Sequence, residues 1–222
     1  MSSREHKLEE AALKRQRYFT VESEQSSEFI EKKSRFIGVC APVNSVEAAE
    51  EFVRSQRQKY PDARHCVYAW IVNGTEMYMR FSDDGEPQGT GGKPVLNVLQ
   101  SQSLENVAVC VIRYFGGILL GTGGLTRAYS KAASAAVERA KIVEYQLQKE
   151  FTIKTDYAQA DKLRYRLETQ NFVQTMPLYT ESVSWQVVTV PERMEELRDM
   201  IAEVTADTVE LEVGEYRYHR IN

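Results

Sequence analysis

The stretch NVAVCVIRYFGGILLGTGGLTRAYSKAASAAVERAK, residues 106–141, holds the pattern on which the fold depends. Its first ten residues are almost continuously apolar, which predicts a strand buried on both faces of a sheet. A loop with five glycines follows at 116–124. The alanine-rich segment after the loop predicts a helix whose small side chains allow close approach to the sheet. A buried strand covered by such a helix indicates a fold that mixes helices with sheet.

Further strands are predicted before this stretch. The segment FIEKKSRFIGVCAPV at 29–43 has strand character, as do HCVYAWIV at 65–72 and TEMYMRFS at 75–82. The last two flank Asn73 and Gly74, a pair that favours the two-residue type I′ turn. We therefore expect a β-hairpin with its turn at Asn73-Gly74.

The last third of the chain follows a regular alternation of strands and helices. Strand patterns and apolar stripes at helical spacing occur in the order strand, helix, two strands, helix, strand. That order over about 70 residues is typical of the ferredoxin-like unit. The segments are EFTIKTDY at 150–157, AQADKLRYRLETQN at 158–171, FVQTMPLYT and ESVSWQVVTV at 172–190, PERMEELRDMIAEVTA at 191–206 and TVELEVGEYRYHR at 208–220.

Together these patterns predict an α+β protein with two domains. The first occupies residues 17–145 and the second, ferredoxin-like domain occupies residues 146–222. Residues 1–16 form a polar extension for which a helix and disorder are both open. The segment around 142–150 separates the two domains without a proline or glycine linker, which favours closely coupled domains.

Composition indicates a cytoplasmic globular protein. The chain of 222 residues is 42% hydrophobic and 27% charged, which is ordinary for a folded domain. It has no apolar run near the roughly 20 residues of a membrane span, and its charged start lacks the apolar core of a signal peptide. Its three cysteines are odd in number and far apart, so no disulfide framework is expected.

The charge is unevenly distributed along the chain. The net charge is −4, yet residues 1–150 contain twenty Lys or Arg against nineteen Asp or Glu, a balance of +1. Residues 151–222 contain eight against thirteen, a balance of −5. A polyanion is therefore expected to meet the first part of the chain.

Glycine is concentrated in two loops of the first domain. Nine of the twelve glycines lie between residues 85 and 124, and Gly-Thr-Gly-Gly occurs at both 89–92 and 121–124, each time before a predicted helix. Helix starts offer unpaired N–H groups, so both loops could hold an anion such as phosphate. Tight turn geometry alone is an equally weighted explanation. The spacing matches neither a Walker A motif nor a dinucleotide fingerprint, so no cofactor is predicted.

The first loop also carries three acidic residues, Asp83, Asp84 and Glu86. Carboxylates can bind Mg²⁺ or Ca²⁺, but the spacing is not that of an EF-hand. Acidic residues before a helix also stabilise its start electrostatically. We predict no metal site.

Basic and aromatic side chains near the two loops form the candidate site. Arg113 ends the buried strand, Tyr114 follows it, and Arg127 and Lys131 share one helix face because they lie four residues apart. With Lys93 they could frame a surface that binds phosphates, with Tyr114 available for stacking. An equal alternative is that Arg113 pairs internally with Asp83 or Asp84. The predicted anion-binding set is Lys93, Arg113, Tyr114, Arg127 and Lys131 with Gly89, Gly91, Gly92, Gly116, Gly117, Gly121, Gly123 and Gly124.

Two segments resemble the bacterial, YigZ-like branch of the IMPACT family: FSDDGEPQGTGGKPVLNVL at 81–99 and VIRYFGGILLGTGGLTRAY at 111–129. EKKSRFIG at 31–38 and PDARHCVYAW at 61–70 support the resemblance, which covers roughly residues 18–222. It implies a first domain similar to domain IV of elongation factor G, a fold shared with a small-subunit ribosomal protein. It implies a ferredoxin-like second domain similar to domain V of that factor. No catalytic residues are established for the family.

Three functions follow as hypotheses. The first is a non-enzymatic, translation-related regulator that binds RNA or the ribosome through the glycine-loop face. The second is an enzyme acting on a small anionic substrate in the cleft between the glycine loops. The third is an adaptor that binds a protein by adding a strand beside Tyr216 and Tyr218. No membrane partner is expected.

Overall fold

The computed structural model describes residues 15–74, 76–206 and 208–221, so most of the predicted extension at 1–16 lies outside the described residues. The chain divides into two compact units. The N-terminal unit comprises residues 18–144, and the C-terminal unit comprises residues 145–221 together with residues 15–17. The predicted α+β class is confirmed, since each unit combines helices with a sheet.

An antiparallel sheet with the strand order β2-β3-β6-β4-β5 forms the centre of the N-terminal unit. Helix α1 begins after Ser45, whose side chain accepts a hydrogen bond from the N–H of Ala48. The elements in chain order are β1 (Arg17–Val21), β2 (Gln25–Glu31), β3 (Ser34–Pro42), α1 (Val46–Lys59), β4 (His65–Asn73), β5 (Met77–Ser82), α2 (Gly92–Ser101), β6 (Val107–Tyr114), α3 (Thr122–Ala140) and β7 (Ile142–Thr155), which continues into the second unit.

Strand β6 is the middle strand of this sheet and is buried on both faces, as its sequence predicted. Val107, Val109 and Val111 pack in the core with α2 and α3. Ala108, Cys110 and Ile112 pack on the other face with α1. The sheet therefore lies between two helical layers, and the continuous apolar run is explained by burial on both faces.

Helix α3 lies very close to strand β3. A Cβ added at Gly38 would lie 2.3 Å from the backbone oxygen of Ala132 and 3.2 Å from the Cβ of Ala136. Only glycine on the strand and alanine on the helix permit that separation. The small residues predicted to allow close approach therefore let the middle of α3 pack directly on β3.

The predicted hairpin between β4 and β5 is present, but its turn differs from the prediction. Asn73 pairs with Met77, so the loop spans 74–76 and is longer than a two-residue type I′ turn. Neither Asn73 nor Gly74 has the positive φ that such a turn requires. The N–H of Asn73 instead donates to the side-chain oxygen of Asn106, which holds Asn73 at the end of the strand.

The C-terminal unit follows the order of strands and helices along the chain that was predicted for a ferredoxin-like domain. Strand β7 lies between β11 and β10, while β8 and β9 pair with the other edge of β10, and these pairs are antiparallel. The core contains Phe151, Leu163, Leu167, Trp185 and Leu197. The remaining elements are α4 (Tyr157–Thr169), β8 (Val173–Gln174), β9 (Leu178–Tyr179), β10 (Val183–Thr189), a 3₁₀ turn (Pro191–Arg193), α5 (Met194–Thr205) and β11 (Glu210–Arg220). Within the described parts of the chain, no helix is long and apolar enough to cross a membrane.

Candidate functional site

The start of helix α2, in the first glycine loop, is occupied by a carboxylate of the protein itself. Asp83 accepts hydrogen bonds from the N–H groups of Gly89 at 2.8 Å, Gly91 at 2.9 Å and Gly92 at 2.8 Å. These donors are the ones that a phosphate would need. The prediction that 89–92 holds an external anion is therefore corrected: Asp83 takes that place, and Gly91 and Gly92 are buried around it.

Asp84 is also used internally. One of its carboxylate oxygens accepts the N–H of Cys66 at 2.6 Å, and the other pairs with Arg57. The hydrogen bond to Asp84 raises the pKa of Arg57. The loop carboxylates bind separate partners, and among the described residues no group of His, Cys, Asp and Glu is arranged to hold a metal ion.

Arg113 and Glu86 form a buried ion pair that joins three elements. Their side chains are 2.6 Å apart, and Arg113 is only 4% exposed. The Tyr129 hydroxyl donates to the same Glu86 oxygen at 2.7 Å, and Arg113 also contacts Ser34 Oγ at 3.3 Å. Burial raises the pKa of Tyr129, and the hydrogen bond from its hydroxyl to Glu86 raises it further. The pair links the first loop to β6 and α3.

This arrangement corrects two predicted site residues. Arg113 points into the core between the rings of Phe36 and Phe115, so it does not belong to an exposed cationic surface. The sequence had also left open an internal ion pair of Arg113 with Asp83 or Asp84. Arg113 is paired internally, but its partner is Glu86. Tyr114 is half-buried against the α1 side of the core, and the Arg35 guanidinium lies 5.8 Å from its ring. Tyr114 is therefore not free to stack on a base.

The second glycine loop leaves its helix start open. Gly121 precedes α3 with φ of 72°, no side chain caps the helix, and its first turn contains no acidic residue. Gly117, with φ of 83°, and Gly123 are exposed. Within the described residues, the N–H groups at this helix start thus have no internal carboxylate comparable to Asp83. The two Gly-Thr-Gly-Gly segments are alike in sequence but differ in what satisfies their donors.

Arg127 and Lys131 lie beside this open helix start in one cavity of about 240 Å³, which we call the basic cavity. The ammonium of Lys131 lies 4.4 Å from the centre of the Phe29 ring. Among the described residues, no carboxylate comes within ion-pair distance of Arg127, Lys131 or Lys32. The cavity is lined by Phe29, Glu31, Lys32, Leu120, Gly124, Arg127, Ala128 and Lys131.

The structure thus separates the predicted cations. Arg127 and Lys131 are together, Arg113 is buried, and Lys93 is exposed on α2 with its ammonium 5.9 Å from the Phe81 ring, outside the basic cavity. Lys32 was not predicted as a site residue. The only sequence signal for it was its position in EKKSRFIG, the segment that supported the family resemblance.

A two-domain α+β chain with paired glycine loops defines the class of protein found here, and comparisons with known proteins identify its family. Residues 32–137 match the profile described as the Impact N-terminal domain, and residues 153–208 match a domain of unknown function, DUF1949. The chain is 31% identical to the IMPACT family member YvyE of Bacillus subtilis, over 90% of this chain and 93% of that protein. This chain belongs to the IMPACT family.

Further similarities agree with this assignment. The IMPACT family member YigZ of Escherichia coli is 43% identical over 58% of this chain and 64% of that protein. A crystal structure described as that of a hypothetical protein is 32% identical and covers 90% of this chain and 98% of its own, with a TM-score of 0.59. The resemblance noted in the sequence is therefore confirmed.

Proposed function

We propose that this protein is a non-enzymatic regulator of translation that binds RNA or the ribosome through the second glycine loop and the basic cavity. The observation that supports the proposal is that Arg127 and Lys131 line one cavity beside the uncapped start of α3. Cationic side chains and helix-start N–H groups are the donors that contact phosphates in nucleic-acid complexes. The family resemblance implies a first domain similar to domain IV of elongation factor G, and this expectation directs the proposal to translation.

The second glycine loop, which contributes Leu120 and Gly124 to the cavity, suits a large, partly apolar partner. Leu119, at the tip of the second loop, is 81% exposed, and Ile118 and Phe115 beside it are exposed as well. Exposed apolar side chains next to cations can contact unstacked bases while the cations bind the backbone. A small substrate in an enclosed pocket would not need such an exposed loop.

An enzyme acting on a small anionic substrate has less support. Acid–base catalysis needs a carboxylate that can reach a substrate. Asp83 binds three N–H groups, Asp84 binds Cys66 and Arg57, and Glu86 is buried against Arg113. The acidic residues of the first loop therefore hold the fold together.

The adaptor hypothesis keeps one supporting observation. Strand β11 is 11 residues long, and among the described strands it pairs only with β7. Its tyrosines are engaged, since Lys149 lies 4.1 Å from the Tyr216 ring and the Tyr218 hydroxyl donates to the Arg15 carbonyl. A partner recovered from lysate after nuclease treatment, and lost when β11 is altered, would favour the adaptor over the RNA-binding regulator.

The test is co-sedimentation with ribosomes, and anisotropy with a structured RNA, over a series of salt concentrations. Binding through phosphates should weaken steeply with salt, and each lost phosphate contact lowers the slope of log K against log salt by about 0.7–0.9. Arg127→Ala with Lys131→Ala should therefore lower the slope by about 1.5. The matched control is Lys162→Ala with Arg166→Ala, an exposed pair with the same spacing on α4.

Two results would refute this proposal. One is no association of the wild-type protein with ribosomes or RNA at low salt. The other is an equal loss of affinity and slope in both double variants, which would mean that net charge alone drives the association.

A further inference from the structure

The turn between β2 and β3 consists of two lysines in an unfavourable backbone conformation. Glu31 pairs with Ser34, so Lys32 and Lys33 form a two-residue turn, and their φ angles are 45° and 63°. Positive φ at both positions is typical of a type I′ turn, where Asn-Gly is preferred because a β-carbon is strained there. Lysine is thus a poor choice for the fold at both positions.

This turn is fixed in place by its backbone, without use of the lysine side chains. A Cβ added at Gly116 would lie 2.0 Å from the carbonyl group of Lys33, so the turn and the second glycine loop are in direct contact. Ser34 Oγ accepts the N–H of Gly116 at 3.2 Å. The side chains of Lys32 and Lys33 are exposed. Packing therefore explains the shape of the turn but not why lysine occupies it.

The position of Lys32 supplies a reason. It lines the basic cavity with Arg127 and Lys131, so cations from two distant chain segments meet at one place. Like charges gathered around a cavity repel each other unless an anion neutralises them. Glu31 also lines the cavity, but its one negative charge does not balance three positive charges.

We propose that Lys32, the first residue of this turn, is a phosphate-binding residue that completes the basic cavity, and that the strained backbone is retained there because Lys32 binds the ligand. Strain of this kind is typical of functional sites. The ligand chemistry is a phosphate group, either in an RNA backbone or on a small molecule. The assignment to RNA rests on the proposed function, whereas the phosphate site does not.

The test compares two single substitutions that each replace a lysine at positive φ by glycine, which removes one charge and relieves the backbone strain. Lys32→Gly should lower the affinity for RNA at least threefold at low salt and leave the thermal midpoint unchanged or higher. The matched control, Lys141→Gly, also replaces an exposed lysine with φ of 56°, but it follows the end of α3, about 15 Å along the helix axis from Lys131. Lys141→Gly should leave RNA affinity unchanged. Lys32→Asn with Lys33→Gly should lower the affinity further and raise the midpoint by about 2–4 °C.

Two ligands separate the possible sources of phosphate: a structured RNA measured by anisotropy, and adenosine monophosphate measured by calorimetry. Binding of the nucleotide but not of RNA, with loss in Lys32→Gly, would support the phosphate site and refute the proposed function. RNA binding that is equal in wild type and Lys32→Gly would refute this inference alone. No binding of either ligand would refute both proposals. If Lys32→Gly lowers the thermal midpoint as well as the affinity, the lysine has a structural role in the turn. That outcome would overturn the inference.

Discussion

The Asp83 carboxylate occupies the position in the first glycine loop that a bound phosphate would need. The sequence left two explanations for this loop open, an external anion or turn geometry alone. It could not choose between them, because Asp83 precedes the N–H groups it binds by six to nine residues and no spacing rule connects them. The general expectation that an acidic residue stabilises a helix start proved correct for Asp83. The partner of Arg113 could not be predicted, since Asp83, Asp84 and Glu86 lie within four residues of each other and only packing selects Glu86.

Asp83→Ala should lower the free energy of unfolding by about 3 kcal/mol, because it leaves the N–H groups of three glycines without their acceptor. Asp83→Asn should cost less, since its amide oxygen retains one acceptor position. Urea denaturation followed by circular dichroism measures both changes. Asp62→Ala is the control, as Asp62 is exposed. A change of less than about 0.5 kcal/mol in Asp83→Ala would mean that water replaces the carboxylate at no cost.

Strands and helices followed from the sequence more reliably than the turns between them. Alternation and apolar runs predicted β6, the alanine-rich helix and the ferredoxin-like order, because burial on a sheet imposes these patterns directly. The turns depend on register, which is determined by pairing elsewhere. Asn73-Gly74 has the preferred type I′ sequence but a longer loop, while Lys32-Lys33 has the two-residue turn without its preferred sequence.

The contact between β3 and α3 should not tolerate one added methyl group. Gly38→Ala would place its Cβ 2.3 Å from the Ala132 backbone oxygen, which cannot move without shifting the whole helix. We expect a loss of about 3 kcal/mol or more in the free energy of unfolding. Gly74→Ala is the control, since the nearest atom to its added Cβ is 3.8 Å away. Equal stability of the two variants in urea denaturation would show that α3 can shift away from the sheet.

Across the whole molecule, the candidate site lies in the part of the chain that carries less negative charge. The basic cavity lies in the N-terminal unit, whose part of the chain is close to neutral, whereas residues 151–222 carry a balance of −5. That a polyanion meets the first part of the chain stays a prediction, and the sequence named Arg127 and Lys131 for it. It could not separate these from Arg113 and Lys93, because burial and distance arise only when the strands assemble.

Hydrogen exchange on the intact chain should locate bound RNA in the N-terminal unit. The exposed amides of Lys32, Lys33 and 117–123 should exchange more slowly in the complex, because phosphates and bases cover the turn and the second glycine loop. The amides of Glu210–Arg220 should not change, since the negative balance of the C-terminal unit repels a polyanion. The same measurement on Arg127→Ala with Lys131→Ala should show little slowing anywhere. Slower exchange confined to the C-terminal unit would place the RNA site there and separate it from the basic cavity.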